Sequence, residues 1–180
     1  PSNSVPDPVD LVRRPFTYQG IGGVELQGCE WGPSNGIPVV CLHGILDQSL
    51  IWETVAQPLA SAGLRVIAPD LRGHGLSTST NDLGSYQLID FISDITSLFE
   101  QRIEQPAVLV GHSFGSVLAG VIANLKSSQV RHLLLVEPVL PSISDESDSV
   151  STIQTFLDYR KSNPQHSIMS SLSEAVAKLK

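Results

Sequence analysis

The sequence predicts a doubly wound α/β fold: a mostly parallel sheet with helices on both faces. Three observations predict it. Segments 37–42, 64–68, 107–110 and 130–136 are near-continuous apolar runs, the pattern of parallel strands covered on both sides. Between them lie stretches of helical period at about 50–62, 86–102 and 114–126, long enough for three or more turns. Strand and helix therefore alternate, and the right-handed rule for such crossovers assembles them into one sheet.

The elements follow in order. Residues 1–15 open Pro1-Ser-Asn-Ser-Val-Pro-Asp-Pro8 without an initiator Met and read as the end of an extended linker, hence a domain cut from something longer. Segments 16–20 and 24–31 are short and turn-bounded, with Gly20, Gly22 and Gly23 between them, which suits an antiparallel hairpin at a sheet edge. The stretch 114–126 carries Val117, Leu118, Ala119, Val121, Ile122 and Ala123. Apolar nearly all round, it is expected to pack directly on the sheet. The core is thus placed at 16–138. After it the pattern breaks into Pro141-Ser-Ile-Ser-Asp-Glu-Ser-Asp-Ser149, followed by helix-like stretches near 150–162 and 168–180. Residues 139–180 are read as the start of a lid. No internal repeat is visible.

Composition narrows the class. With 180 residues and 41% apolar content the chain has the matter for one sizeable core. The 18 acidic against 11 basic residues, net −7, disfavour non-specific binding to nucleic acid or an anionic membrane. No apolar run reaches the roughly 18 to 20 residues that span a bilayer, and no charged-then-apolar leader opens the chain. A cytoplasmic location is expected. Cys29 and Cys41 fall in separate strands without metal-ligand spacing and read as small buried hydrophobes in a reducing compartment.

Gly111-His-Ser-Phe-Gly115 is a G-x-S-x-G between an apolar strand and an apolar helix. That context is what a nucleophile elbow requires, a sharp turn that lifts the hydroxyl of Ser113 above the sheet edge. The bland alternative is a serine that merely caps the helix. A nucleophilic serine creates an oxyanion, and one preorganised donor to it is worth about 3 to 4 kcal/mol. The N–H of Phe114, in the first helical turn, is one candidate. The N–H of Ile45, in the loop after segment 37–42, is nominated as the second. For His43 the expected role is a turn residue bonded to backbone.

Asp70-Leu-Arg-Gly-His-Gly75 closes the next strand, and Asp70 with Arg72 reads as a structural brace. Among the histidines, His74 belongs to that turn, His112 is taken to point away from the place of a base, His132 lies within a strand and His166 in the lid region. None is a convincing base for Ser113. Glu137 sits at the tip of segment 130–136, followed by Pro138, at the edge where catalytic groups collect. Either a catalytic acid that orients a histidine or a lid-hinge carboxylate fits it.

His43-Gly44, the Asp70–Gly75 turn and the Gly111–Gly115 elbow together resemble the α/β-hydrolase superfamily over nearly the whole chain. His43-Gly-Ile-Leu-Asp-Gln-Ser-Leu-Ile-Trp52, Val136-Glu-Pro-Val-Leu-Pro141 and Leu157-Asp-Tyr-Arg-Lys-Ser-Asn-Pro-Gln-His166 are similar, more closely, to the decarboxylating thioesterases that end certain cyanobacterial polyketide synthases of the curacin and olefin-synthase type. The resemblance implies a Ser-Glu-His triad, which maps onto Ser113 and Glu137. Its substrate is a β-sulfated acyl chain on an acyl carrier protein, released by hydrolysis and converted to a terminal alkene with loss of carbon dioxide and sulfate. No metal or redox cofactor is implied. The acidic charge would repel an acidic carrier, so tethering within one megasynthase is expected to raise their effective concentration. The resemblance places the histidine, the sulfate contacts, the later strands and most of the lid beyond residue 180, and a solvated lid face accounts for Arg160 and Lys161. Two other functions stay open: an ordinary serine esterase or chain-releasing thioesterase, and a non-catalytic binding module.

Overall fold

Alternation and continuity of apolar residues divide the strands of this protein into two kinds, and the computed structural model, which describes residues 12–79 and 86–138, shows where each kind goes. In β1 (Arg14–Gln19) only Phe16 and Tyr18 are buried, as befits a strand with one covered face. It pairs antiparallel with β2 (Glu25–Trp31), from Arg14 opposite Glu30 to Gln19 opposite Glu25. The connection turns through Gly22 and Gly23 at φ 73° and 76°, left-handed values that glycine adopts without strain. β3 (Pro38–Leu42) is buried at every position, and β4 (Arg65–Pro69) at all but its first. β5 (Ala107–His112) and β6 (Val130–Val136) complete a sheet of order β1-β2-β4-β3-β5-β6. β2 meets β4 antiparallel, and the β4–β3, β3–β5 and β5–β6 pairs are parallel.

Successive side chains of the central strands enter opposite layers. Val40, Leu42, Ile67 and Leu109 pack with α2 (Leu88–Arg102) and α3 (Phe114–Leu125). Val39, Cys41, Val66, Val108 and Val110 pack with α1 (Glu53–Ser61) and with Trp31 and Trp52. Helices thus cover both faces, as the doubly wound reading requires. A short 3-10 turn, Ser49–Trp52, leads into α1, so the helix predicted from residue 50 starts three residues later. In α2 the stripe Phe91, Ile95, Leu98 and Phe99 faces the sheet. A capping box closes its start, where Gln87 N–H donates to Asp90 Oδ2 at 2.9 Å.

Two ion clusters lock the layers. Arg72, 1% exposed, grips Asp94 of α2 in a two-pronged pair, Nε to Oδ2 at 2.7 Å and Nη2 to Oδ1 at 2.8 Å. At the opposite edge, Glu30 of β2 accepts from Arg65 at 3.0 Å, Arg102 at 2.9 Å and Arg14 at 3.3 Å. Burial alone would raise the Glu30 pKa, but the hydrogen bonds and charges of Arg65 and Arg102 outweigh it and hold the carboxyl below its usual range.

The first strand begins at Arg14, two residues inside the predicted linker, because Arg14 joins the Glu30 cluster. The predicted lid at 139–180, with Arg160, Lys161 and His166, lies outside the described residues, as does most of the linker. No helix among the described residues is long and apolar enough to cross a membrane.

Candidate active site

Strand order locates the site before any side chain does. From β3 the chain passes through α1 on one face to β4; from β4 it returns through α2 on the other face to β5, on the far side of β3. The connections diverge between β3 and β5, and at such a switch point a crevice opens at the C-terminal strand ends. Here the loop after β3 meets the turn after β5. A side chain on Gly44 would place its first carbon 3.2 Å from Ser113 Cβ and 3.3 Å from His112 Nδ1.

The turn after β5 is as tight as its glycines allow. A Cβ on Gly111 would strike the Gly115 carbonyl, and one on Gly115 would strike the carbonyls of Leu42 and His43. Ser113 is left at φ 52°, ψ −120°, a strained conformation that costs a non-glycine residue about 1 to 3 kcal/mol. Its backbone is held from both sides: its N–H donates to Val136 O at 3.0 Å, and its carbonyl accepts from Ser116 N–H at 2.9 Å and from the Ser116 hydroxyl. Ser113 occupies the N-cap position of α3 yet makes no side-chain capping bond, so the capping alternative does not describe it. Among the described residues, neither Ile45 N–H nor Phe114 N–H donates to a backbone carbonyl of the turns and loops.

The facing loop is supported from beneath. His43 is fully buried; Leu71 N–H donates to its Nε2 at 3.0 Å, so Nδ1 carries the proton and donates to Gly44 O at 2.7 Å. Burial depresses the His43 pKa below its usual value; the Gly44 bond opposes this, His74 adds to it, and Asp70 and Asp47 oppose it. The loop turns through a bond from Asp47 N–H to Gly44 O at 3.3 Å, with Leu46 at φ 67° and 92% exposed. Asp70 accepts Ser49 N–H at 2.6 Å and Leu76 N–H at 3.0 Å. A Cβ on Gly75 would collide with the Asp70 carboxylate. His74 is bound to the Arg72 carbonyl at 2.9 Å and remains part of this turn.

Glu137 follows β6 with φ 47° and a carboxylate 84% exposed. Its Oε2 lies 3.8 Å from His112 Nε2, whose other nitrogen lies 3.6 Å from Asp47 Oδ2. His112, expected to point away from the place of a base, has its ring between two carboxylates of the site, Asp47 and Glu137. The missed signal was register, since His112 and Val136 are neighbours across β5 and β6. Leu46, Ser113 and Glu137 are the three positive-φ residues other than glycine among the described residues, and all three lie at this edge. Backbone strain of this kind is often concentrated at functional sites.

The cysteines stay apart from it. Burial pushes the Cys41 thiol up to about 12 and raises that of Cys29. The two stand on β3 and β2, with β4 between them, too far apart for a disulfide. No group of three or more His, Cys, Asp or Glu among the described residues is placed to hold a metal ion.

Comparison with known proteins places this geometry. Residues 37–167 match the family described as alpha/beta hydrolase fold. The thioesterase domain from the curacin biosynthetic pathway superposes with a TM-score of 0.70 at 39% identity, covering 93% of this chain and 61% of that one. A serine hydrolase-like protein of Danio rerio is 35% identical over 113 residues, 63% of this chain and 34% of that protein. The AB hydrolase superfamily protein YfhM of Bacillus subtilis is 31% identical over 126 residues, 70% of this chain and 44% of that protein. The chain therefore spans between a third and a half of the length of these curated relatives.

Proposed function

The chain belongs to the alpha/beta hydrolase fold family, and from that premise we propose that it is a serine thioesterase acting on an acyl chain borne by an acyl carrier protein. The observation that carries the reading is the convergence of a strained, uncapped Ser113 on the loop of Gly44 at the β3/β5 crevice. In this reading Ser113 Oγ attacks the thioester carbonyl. The N–H groups of Ile45 and Phe114 receive the oxyanion, and Glu137 orients the histidine that takes the serine proton. None of His43, His74 or His112 fills that last role: the first two are committed to backbone carbonyls, and the ring nitrogens of the third both face carboxylates, Asp47 and Glu137. The base is the histidine that the family carries later in its chain. The thiol leaves with the proton, and water then frees the acid by the same route.

The finer proposal is a β-sulfated substrate. It is supported by the likeness to the curacin thioesterase domain over 93% of the chain and by the loop and strand-tip motifs shared with decarboxylating thioesterases. Once freed, the 3-sulfated acid loses carbon dioxide; the electron pair of the broken C1–C2 bond forms the C2=C3 double bond as sulfate departs from C3. Atoms and electrons balance without a redox partner.

The test is the complete protein with a β-sulfated acyl chain on carrier protein. Alkene, carbon dioxide and sulfate are expected in equal amounts, and none from Ser113→Ala. Release of the sulfated acid alone would overturn the decarboxylating step. Equal turnover of unsulfated thioesters would favour a general chain-releasing hydrolase, a reading supported by the serine hydrolase-like relatives. Failure of a serine-directed phosphonate to label Ser113 would leave a binding module.

A further inference from the structure

We propose that His112 is a positioning residue for Glu137, gripping one oxygen of its carboxylate so that the other is presented to the catalytic histidine. The inference rests on the reading of Glu137 as the acid and adds what holds it. An acid that orients an imidazole must itself have a fixed direction, yet the Glu137 side chain is 84% exposed and springs from the last residue before Pro138. Left in water, a glutamate samples many rotamers.

His112 is placed to choose one. Its backbone is the last position of β5, in register with Val136, and the neighbouring Ser113 N–H is bonded to the Val136 carbonyl. The two strand tips therefore move as a unit. The ring is then confined from the other side, with Nδ1 3.6 Å from Asp47 Oδ2 and 3.3 Å from where a Gly44 side chain would begin. Nδ1 is buried and makes no hydrogen bond, and Nε2 stands 3.8 Å from Glu137 Oε2. Both separations exceed hydrogen-bond length by less than an ångström. A change of rotamer at the exposed Glu137 side chain brings its Oε2 onto Nε2–H while the two strand tips stay tied together. Elbow and acid are then linked through one imidazole.

The experiment uses the complete protein, with a 4-nitrophenyl ester and an acyl N-acetylcysteamine thioester as substrates. His112→Ala is expected to lower kcat about 10- to 100-fold, the usual cost of losing a group that orients a working one, with KM and Tm unchanged. His112→Gln, whose amide N–H reaches where Nε2 stood, recovers most of that loss. In a Glu137→Ala background His112→Ala costs nothing further, because the group it positions is gone. Wild-type kcat in His112→Ala, no recovery in His112→Gln, or losses that multiply with those of Glu137→Ala would each overturn the proposal. Full turnover in Ser113→Ala would instead sink the nucleophile reading. A dead Ser113→Ala and Glu137→Ala beside an active His112→Ala would sink this inference alone.

Discussion

Acid should loosen this fold through His43. Its Nε2 accepts the Leu71 N–H and so must stay unprotonated, while the Asp70 and Asp47 carboxylates and the His74 ring are the titratable groups that act on it. A proton there would set two donors against each other in a fully buried place. Because the folded pKa lies below the unfolded value near 6.5, the unfolded chain takes up the proton first as pH falls. The stability is fully present above about pH 6.5 and is lost as pH drops through 6.5 toward the folded pKa, at no more than about 1.4 kcal/mol per unit. Between pH 7 and 5.5 one proton accounts for at most about 1.2 kcal/mol. Glu30, lowered from 4.5, loses its contribution only as pH falls below that range. The assay is urea unfolding followed by the fluorescence of buried Trp31 and Trp52, with His43→Gln as the variant that cannot titrate. The wild-type stability should decline toward pH 5.5 relative to the variant. A difference constant across the range, or one growing in favour of the wild type, would refute the reasoning.

Removing the carboxylate in Asp94→Ala takes the two-pronged partner from a guanidinium that is 1% exposed, and urea midpoints should report a loss of about 3 to 5 kcal/mol. The double change Arg72→Met with Asp94→Leu should recover most of it, whereas a single loss under about 1 kcal/mol would mean that the buried pair is not a lock. In Gly115→Ala the added carbon meets the Leu42 and His43 carbonyls, so α3 must back away from β3 and carry the Phe114 N–H with it. Esterase kcat should fall about 10²- to 10³-fold, the size of one oxyanion donor. Gly63→Ala, at φ 84° with nothing within 4 Å, should cost about 1 to 2 kcal/mol from its backbone alone and leave kcat unchanged.

Much of the molecule can be read from the residues, for identifiable reasons. Strands such as β3 and β5 are legible because burial on both faces demands unbroken apolar runs, and the elbow because two glycines must bracket it. Other features depend on partners distant in sequence. Glu30 says nothing of the three arginines that converge on it from β1, β4 and α2. His112 became part of the site only through the register of β5 on β6. The strain at Leu46 and Glu137 carries no compositional mark, because neither position holds the glycine that would announce it. The strand order itself, with β4 outside β3, is a property of the crossovers and not of any one segment.

The switch point has a consequence for how this protein assembles. Pairing Val40 with Leu109 closes a loop of about 70 residues, at an entropic cost about 1 kcal/mol above that of the shorter β5–β6 closure. Local hairpins and helices can form early, but Ser113 is forced into its strained turn only when both closures hold it. Ordering of the elbow should therefore come late in refolding, at positions of low φ-value. Tryptophan burial should run ahead of phosphonate reactivity, and during synthesis the oxyanion loop would leave the ribosome well before the serine it serves.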